Sequence, residues 1–176
     1  MPIINTVSPE EATGDLAGYY RKIKAMRGSV GNNAVLFSSV PELLRQQMDF
    51  VMYYANHPTL PMPLLAAIRV MVSSGESCDY CIDYNTVMLV NMAGWTPEQV
   101  AAMRADLDAA PMERKDKALL SLVVKAVRSA HDVSAADLDA LRTMGWDDAE
   151  IFDAVHHGAR MLATDVLFNA FKIEKE

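Results

Sequence analysis

Cysteine is almost absent from this sequence: Cys78 and Cys81 are the only two among 176 residues, and they lie three positions apart. No disulfide can therefore staple distant parts of one chain. Stability must come from an apolar core, and a composition that is half apolar supplies enough material for a single compact domain over residues 1–176. Long apolar runs are also missing, since no stretch reaches the ~18 uninterrupted apolar residues of a membrane-spanning helix. The opening Met1-Pro2-Ile3-Ile4-Asn5 has no charged segment leading into an apolar one, as a secretory leader would. The expectation is a cytoplasmic protein with no membrane partner. Concentrated basic charge is the third absence: 16 Lys and Arg face 23 Asp and Glu, a net charge of −7. The basic residues are scattered, as in Arg21, Lys22, Lys24, Arg27 and Arg114, Lys115, Lys117. A phosphate backbone calls for a concentrated basic face, so no nucleic-acid partner is expected.

Alternating runs of Val, Ile, Thr and Tyr, which mark half-buried strands, do not occur, whereas helix punctuation recurs throughout. The fold class read from this pattern is all-α. A first helix starts near Ser8-Pro9-Glu10-Glu11 or at Thr13 and runs to about Met26, before Gly28. After a loop containing Gly31-Asn32-Asn33, Pro41-Glu42 opens a second that ends before His57-Pro58. Pro61 and Pro63 introduce a third, from Leu64 to about Ser74. Cys78 to Met92 forms the next, closed by Gly94. Further helices span Thr96 to Ala109, Glu113 to about His131, Ser134 to Met144 and Asp147 to about Lys172, with Pro111 and Gly145 as breaks.

One segment echoes another. Met92-Ala93-Gly94-Trp95-Thr96-Pro97-Glu98-Gln99-Val100 parallels Thr143-Met144-Gly145-Trp146-Asp147-Asp148-Ala149-Glu150-Ile151, each reading as helix, glycine stop, tryptophan and capping box. Either a common connector is used twice, or a helical hairpin is duplicated with thiols in the first copy alone.

The strongest local signal is Cys78-Asp79-Tyr80-Cys81. Positions i and i+3 of a first helical turn share a face, which lets two sulfurs close a disulfide. Zinc is one alternative, but it usually takes four ligands, and no second pair or nearby histidine follows. Two small buried hydrophobes are another, because free cysteine is among the most buried residue types. A thioredoxin fold uses the same motif but needs strands, so the pair must sit at a helix N-terminus on a helical scaffold.

The segment Ser77-Cys78-Asp79-Tyr80-Cys81-Ile82-Asp83-Tyr84-Asn85-Thr86 resembles the alkylhydroperoxidase D-like, carboxymuconolactone decarboxylase-like superfamily, in which Cys-x-x-Cys precedes a histidine at the fourth following position. Leu60-Pro61 with the helix Leu64 to Val72 is similar as well. Ser8 to Gly14, Pro41-Glu42-Leu43-Leu44 and Leu141 to Ile151 resemble its peroxidase-related branch. The resemblance implies that Cys81 is the attacking thiolate and Cys78 the resolving one. The family histidine falls on Asn85 and the family glutamate on Ala66. Asparagine can orient a neighbour but cannot take a thiol proton near neutral pH.

Thiolate supply then becomes the question, because a thiol of ordinary pKa, ~8.5, is roughly a tenth ionised at pH ~7.5. A helix N-terminus favours the anion; Glu76, Asp79 and Asp83 oppose it, and no Lys or Arg occurs between Arg69 and Arg104. Glu76 and Asp83 are the candidates to replace the lost base. His57 and His131 read as helix-end residues. His156 and His157 point about 100° apart on one helix, so one of them can face the cysteines. The twelve methionines and the aromatic positions read as core or subunit interface.

The expected function is a thiol-dependent peroxidase or disulfide reductase acting on small-molecule hydroperoxides in antioxidant defence. No bound cofactor or metal is expected; an external dithiol resets the pair, and the family resemblance implies a homo-oligomer. Two other readings remain: a lyase of the carboxymuconolactone decarboxylase type, which does not depend on a cysteine pair, and a non-catalytic, redox-sensing helical oligomer.

Overall fold

A computed structural model describes residues 2–175, and all regular structure among them is helical. The helices are α1 (Gly14–Arg27), α2 (Asn32–Leu36), α3 (Pro41–Ala55), α4 (Met62–Gly75), α5 (Asp79–Ala93), α6 (Pro97–Ala105), α7 (Arg114–Arg128), α8 (Ala135–Thr143) and α9 (Asp148–Ala170). Short 3-10 turns follow α2, α6 and α7. No helix among the described residues is long and apolar enough to cross a membrane.

The boundaries follow the local chemistry. Gly28 ends α1 and Gly94 ends α5 in the left-handed conformation that only glycine adopts freely. Thr96 and Gln99 exchange the reciprocal hydrogen bonds of a capping box at the start of α6. Asp147 and Glu150 do the same before α9. Trp95 and Trp146 are both buried beside these caps, so the two echoing segments share one construction. The sequence pattern did not reveal α2, which lies in the expected Gly31-Asn32-Asn33 loop. It also carried one helix to His131, whereas α7 stops at Arg128 and His131 falls in the following 3-10 turn.

The chain divides into two compact units. Met1–Asn56 with Leu167–Glu176 form one, and His57–Val166 form the other. In the first, Leu16, Tyr20 and Ile23 of α1 pack with Ala34 and Leu44. The Tyr20 hydroxyl donates to the Val7 carbonyl at 2.8 Å, and Val7 N–H donates to Ser38 Oγ at 2.8 Å, which holds the segment before α1.

The second unit is built around α4, which packs against α5, α6 and α7. Leu64 through Ile68 and Val70 through Ser73 are all buried, so α4 is apolar on every side, as a central helix must be. Arg69 is its one charge. On α9, Gly158 faces this centre: a Cβ there would collide with Val123 of α7 and come within 3.3 Å of Val127 and 3.6 Å of Ile68. Val123 is fully buried and cannot give way. Gly158→Ala is therefore expected to destabilise the protein by about 1–3 kcal/mol despite alanine's better helix propensity, read as a lower midpoint in urea unfolding.

Candidate functional site

The turn between α4 and α5 delivers the cysteines. Ser77 takes a left-handed φ of 53°, an arrangement that costs a residue with a Cβ on the order of 1 kcal/mol. The chain thereby reverses so that Cys78 N–H donates to the Ser73 carbonyl at 3.0 Å, and α5 begins one residue later. Cys78 is the N-cap of α5 and Cys81 lies within its first turn. Both are free thiols, and both are buried, at 1% and 3% exposure.

A third group completes the cluster. Asp165 of α9 is fully buried, and its carboxylate oxygen and the two sulfurs all lie within 4.8 Å of one another. Ser73 Oγ lies 3.0 Å from each Asp165 oxygen and donates to the carboxylate. Both thiols lie close enough to lower its titration. Burial pushes the Asp165 carboxyl up to about 6, against the opposing pull of these groups. The hydrogen bond with Cys78, then burial, then the Asp165 charge push the Cys81 thiol above the usual cysteine range. Cys81 thus holds its proton, and above about pH 6 the negative charge rests on the carboxylate. The same three side chains could ligate a metal ion, although three ligands fall one short of a closed, four-coordinate zinc site.

Asn85 is buried behind Cys81. Its Nδ2 donates to the Cys81 carbonyl at 2.8 Å, and its Oδ1 accepts from Arg69 Nε of α4. Arg69 Nη1 donates to His157 Nε2 at 3.0 Å, so a chain of hydrogen bonds leads from α9 through α4 to the backbone of the second cysteine. Burial, then the Arg69 guanidinium, depress the His157 ring to about 3. His157 is thus neutral, and of the adjacent histidines it is the one facing inward, while His156 is exposed. The gap in basic residues along the sequence is bridged in space, since Arg69 reaches the Asn85 side chain.

The other candidates lie elsewhere. Glu76 and Asp83 are exposed, as is Asp79, while Ala66 is fully buried in α4. Glu76 is near enough for its charge to add to the rise at Asp165. His57 holds the turn before α4: its Nδ1 accepts from the Leu60 N–H at 3.0 Å, and its Nε2 lies 3.0 Å from Asp153 Oδ2. Sequence reasoning missed Asp165. The signal was there, because Ile151, Ala154, Gly158, Met161, Asp165 and Phe168 recur at alternating intervals of three and four, and one carboxylate stands in that apolar stripe.

No protein-family model and no curated protein matches the chain. Solved structures do match. An uncharacterised peroxidase-related protein from Ralstonia eutropha JMP134, described as an alkylhydroperoxidase AhpD core, superposes with a TM-score of 0.86 over 99% of this chain and 92% of its own, at 18% identity. An uncharacterised peroxidase-related protein from Silicibacter sp. TM1040 gives 0.83 over 92% and 85%, at 20% identity. A protein of unknown function from Agrobacterium tumefaciens, named as a candidate antioxidant defence protein AhpD, gives 0.67 over 80% and 94%, at 17%. The chain has the all-helical fold of the alkylhydroperoxidase AhpD core, and that fold extends over essentially its whole length.

Two buried groups that titrate below neutral pH have opposite effects on stability. His157, depressed from the ordinary histidine value, contributes stability above pH ~6.5 that is lost as pH falls toward 3. Asp165, raised from the ordinary aspartate value, binds a proton in the folded state between pH ~4 and 6 that the unfolded chain has released. Its contribution therefore falls as pH rises through that window. Asp165→Asn removes this dependence, and its stability relative to the reduced wild type is expected to improve by on the order of 2 kcal/mol between pH ~4 and ~6.5 in denaturant titrations. A constant difference across that range contradicts the assignment.

Proposed function

We propose that the chain is a thiol-dependent oxidoreductase of the alkylhydroperoxidase D-like superfamily, peroxidase-related branch, which reduces hydroperoxides in antioxidant defence. The observation that carries the reading is the pair of free thiols at the start of α5, close enough to join and buried against a carboxylate. A purely apolar core position would not place an ionisable carboxyl there, because an unpaired buried charge opposes folding.

The chemistry follows the roles that the resemblance implies. The Cys81 sulfur attacks the distal oxygen of the hydroperoxide, the O–O bond breaks, an alcohol leaves and Cys81 becomes a sulfenic acid. The Cys78 sulfur then displaces that hydroxyl, giving a disulfide and water. An external dithiol reduces the disulfide by exchange. Asn85, with both ends of its amide engaged, fixes the first turns of α5 against α4 and takes no proton.

A second reading is favoured by one specific observation: the raised Cys81 thiol keeps its proton at rest. A slow redox sensor would have the same appearance. Rate separates the two. Reduced wild type treated with an alkyl hydroperoxide is expected to lose both thiols and two hydrogens in intact mass, faster than free cysteine does. Cys78→Ser is expected to stop at a Cys81 sulfenic acid, and Cys81→Ser to keep its remaining thiol. Thiol loss no faster than in free cysteine would leave the sensor. Retention of lactone decarboxylation by a Cys78→Ala, Cys81→Ala double variant would point instead to the lyase.

A further inference from the structure

We infer that Asp165 is the catalytic proton acceptor and donor of the cysteine pair, supplying from α9 the relay that Ala66 and Asn85 cannot. The inference rests on reading Cys78 and Cys81 as a redox pair, and it adds a residue that the Cys-x-x-Cys segment does not contain.

The geometry carries it. Asp165 is fully buried, reaches both sulfurs within 4.8 Å, and has no ion-pair partner among the described residues. Its orientation is fixed from α4 by Ser73 Oγ at 3.0 Å from each oxygen, which directs the remaining acceptor capacity toward the thiols. The groups acting on it are Cys78 and Cys81 from α5, Ser73 from α4 and Glu76 at the end of α4. Glu76 and Asp83 themselves are exposed. Its raised value, about 6, matches a base that must be ionised near neutral pH yet release its proton readily.

The steps balance. As the Cys81 sulfur attacks the hydroperoxide, its proton passes to Asp165; the departing alkoxide takes that proton and leaves as the alcohol. In the second step the Cys78 proton passes to Asp165 and then to the hydroxide displaced from the Cys81 sulfenic acid, which leaves as water. The thiols lose two electrons, the hydroperoxide gains them, and Asp165 ends each step ionised.

The test is the pH dependence of Cys81 reactivity between about pH 5 and 9, measured with an alkyl hydroperoxide and separately with iodoacetamide, in wild type, Asp165→Asn and Asp165→Glu. In wild type the rate is expected to rise with an inflection near 6, below the thiol range. In Asp165→Asn it is expected to fall at least tenfold at pH 7, with the inflection moved above 8, and Asp165→Glu is expected to recover part of the loss. A wild-type inflection at the ordinary thiol value overturns the inference whether or not the variants fold, as does an asparagine variant within twofold of wild type and of unchanged profile. Asp165-dependent alkylation without hydroperoxide turnover would sink the peroxidase reading and leave the role of Asp165 standing.

Discussion

Burying a carboxylate among apolar helices without a cation beside it opposes folding, and the site depends on how that opposition is met. At Asp165 it is met by a serine hydroxyl from α4, 3.0 Å from each oxygen, and by two nearby thiols at the start of α5. None neutralises the charge, so the carboxyl stays poised between its two protonation states near neutral pH. Two of these groups, the thiols, are the ones whose protons the proposed relay would move. The acid therefore opposes folding, and a perturbed carboxyl beside two thiols is the kind of group that functional sites contain.

The scaffold serves that contact. α4 is buried on all sides and can support neighbours all around, and Gly158 gives α9 the room to lie against α7 and α4. Asp165 sits two turns further along α9. The left-handed Ser77 sets Cys78 at the N-cap, where the exposed amides of α5 favour negative charge on sulfur once a proton has left. A second polar line runs from His157 through Arg69 and Asn85 to the Cys81 carbonyl. The Asn85 amide thus joins two helices, α4 and α5.

Much of the helical frame could be read from the chain. Prolines 41 and 61, glycines 28, 94 and 145, and the Thr96-Gln99 and Asp147-Glu150 pairs act over a few residues, so their effect is written locally. The cysteine pair was legible for the same reason. What could not be read was the partner, because nothing within the motif predicts which residue of a helix some 80 positions later will face it. Asp165 is visible only as a flaw in an apolar stripe, and Arg69 only as the one charge on an otherwise apolar helix. Glu76 and Asp83 were attractive because they are close in sequence, yet closeness along a helix start placed them on the exposed side.

Everything at the site turns on the Asp165 carboxyl titrating far from its ordinary value while both cysteines are reduced. The carboxyl-carbon chemical shift of Asp165, followed by NMR across pH in the reduced protein, measures this directly. A midpoint near 6 is the predicted result. A midpoint near the usual aspartate value, ~4, would contradict it, because a carboxyl that ionises so readily is neither desolvated nor suited to pass thiol protons at neutral pH.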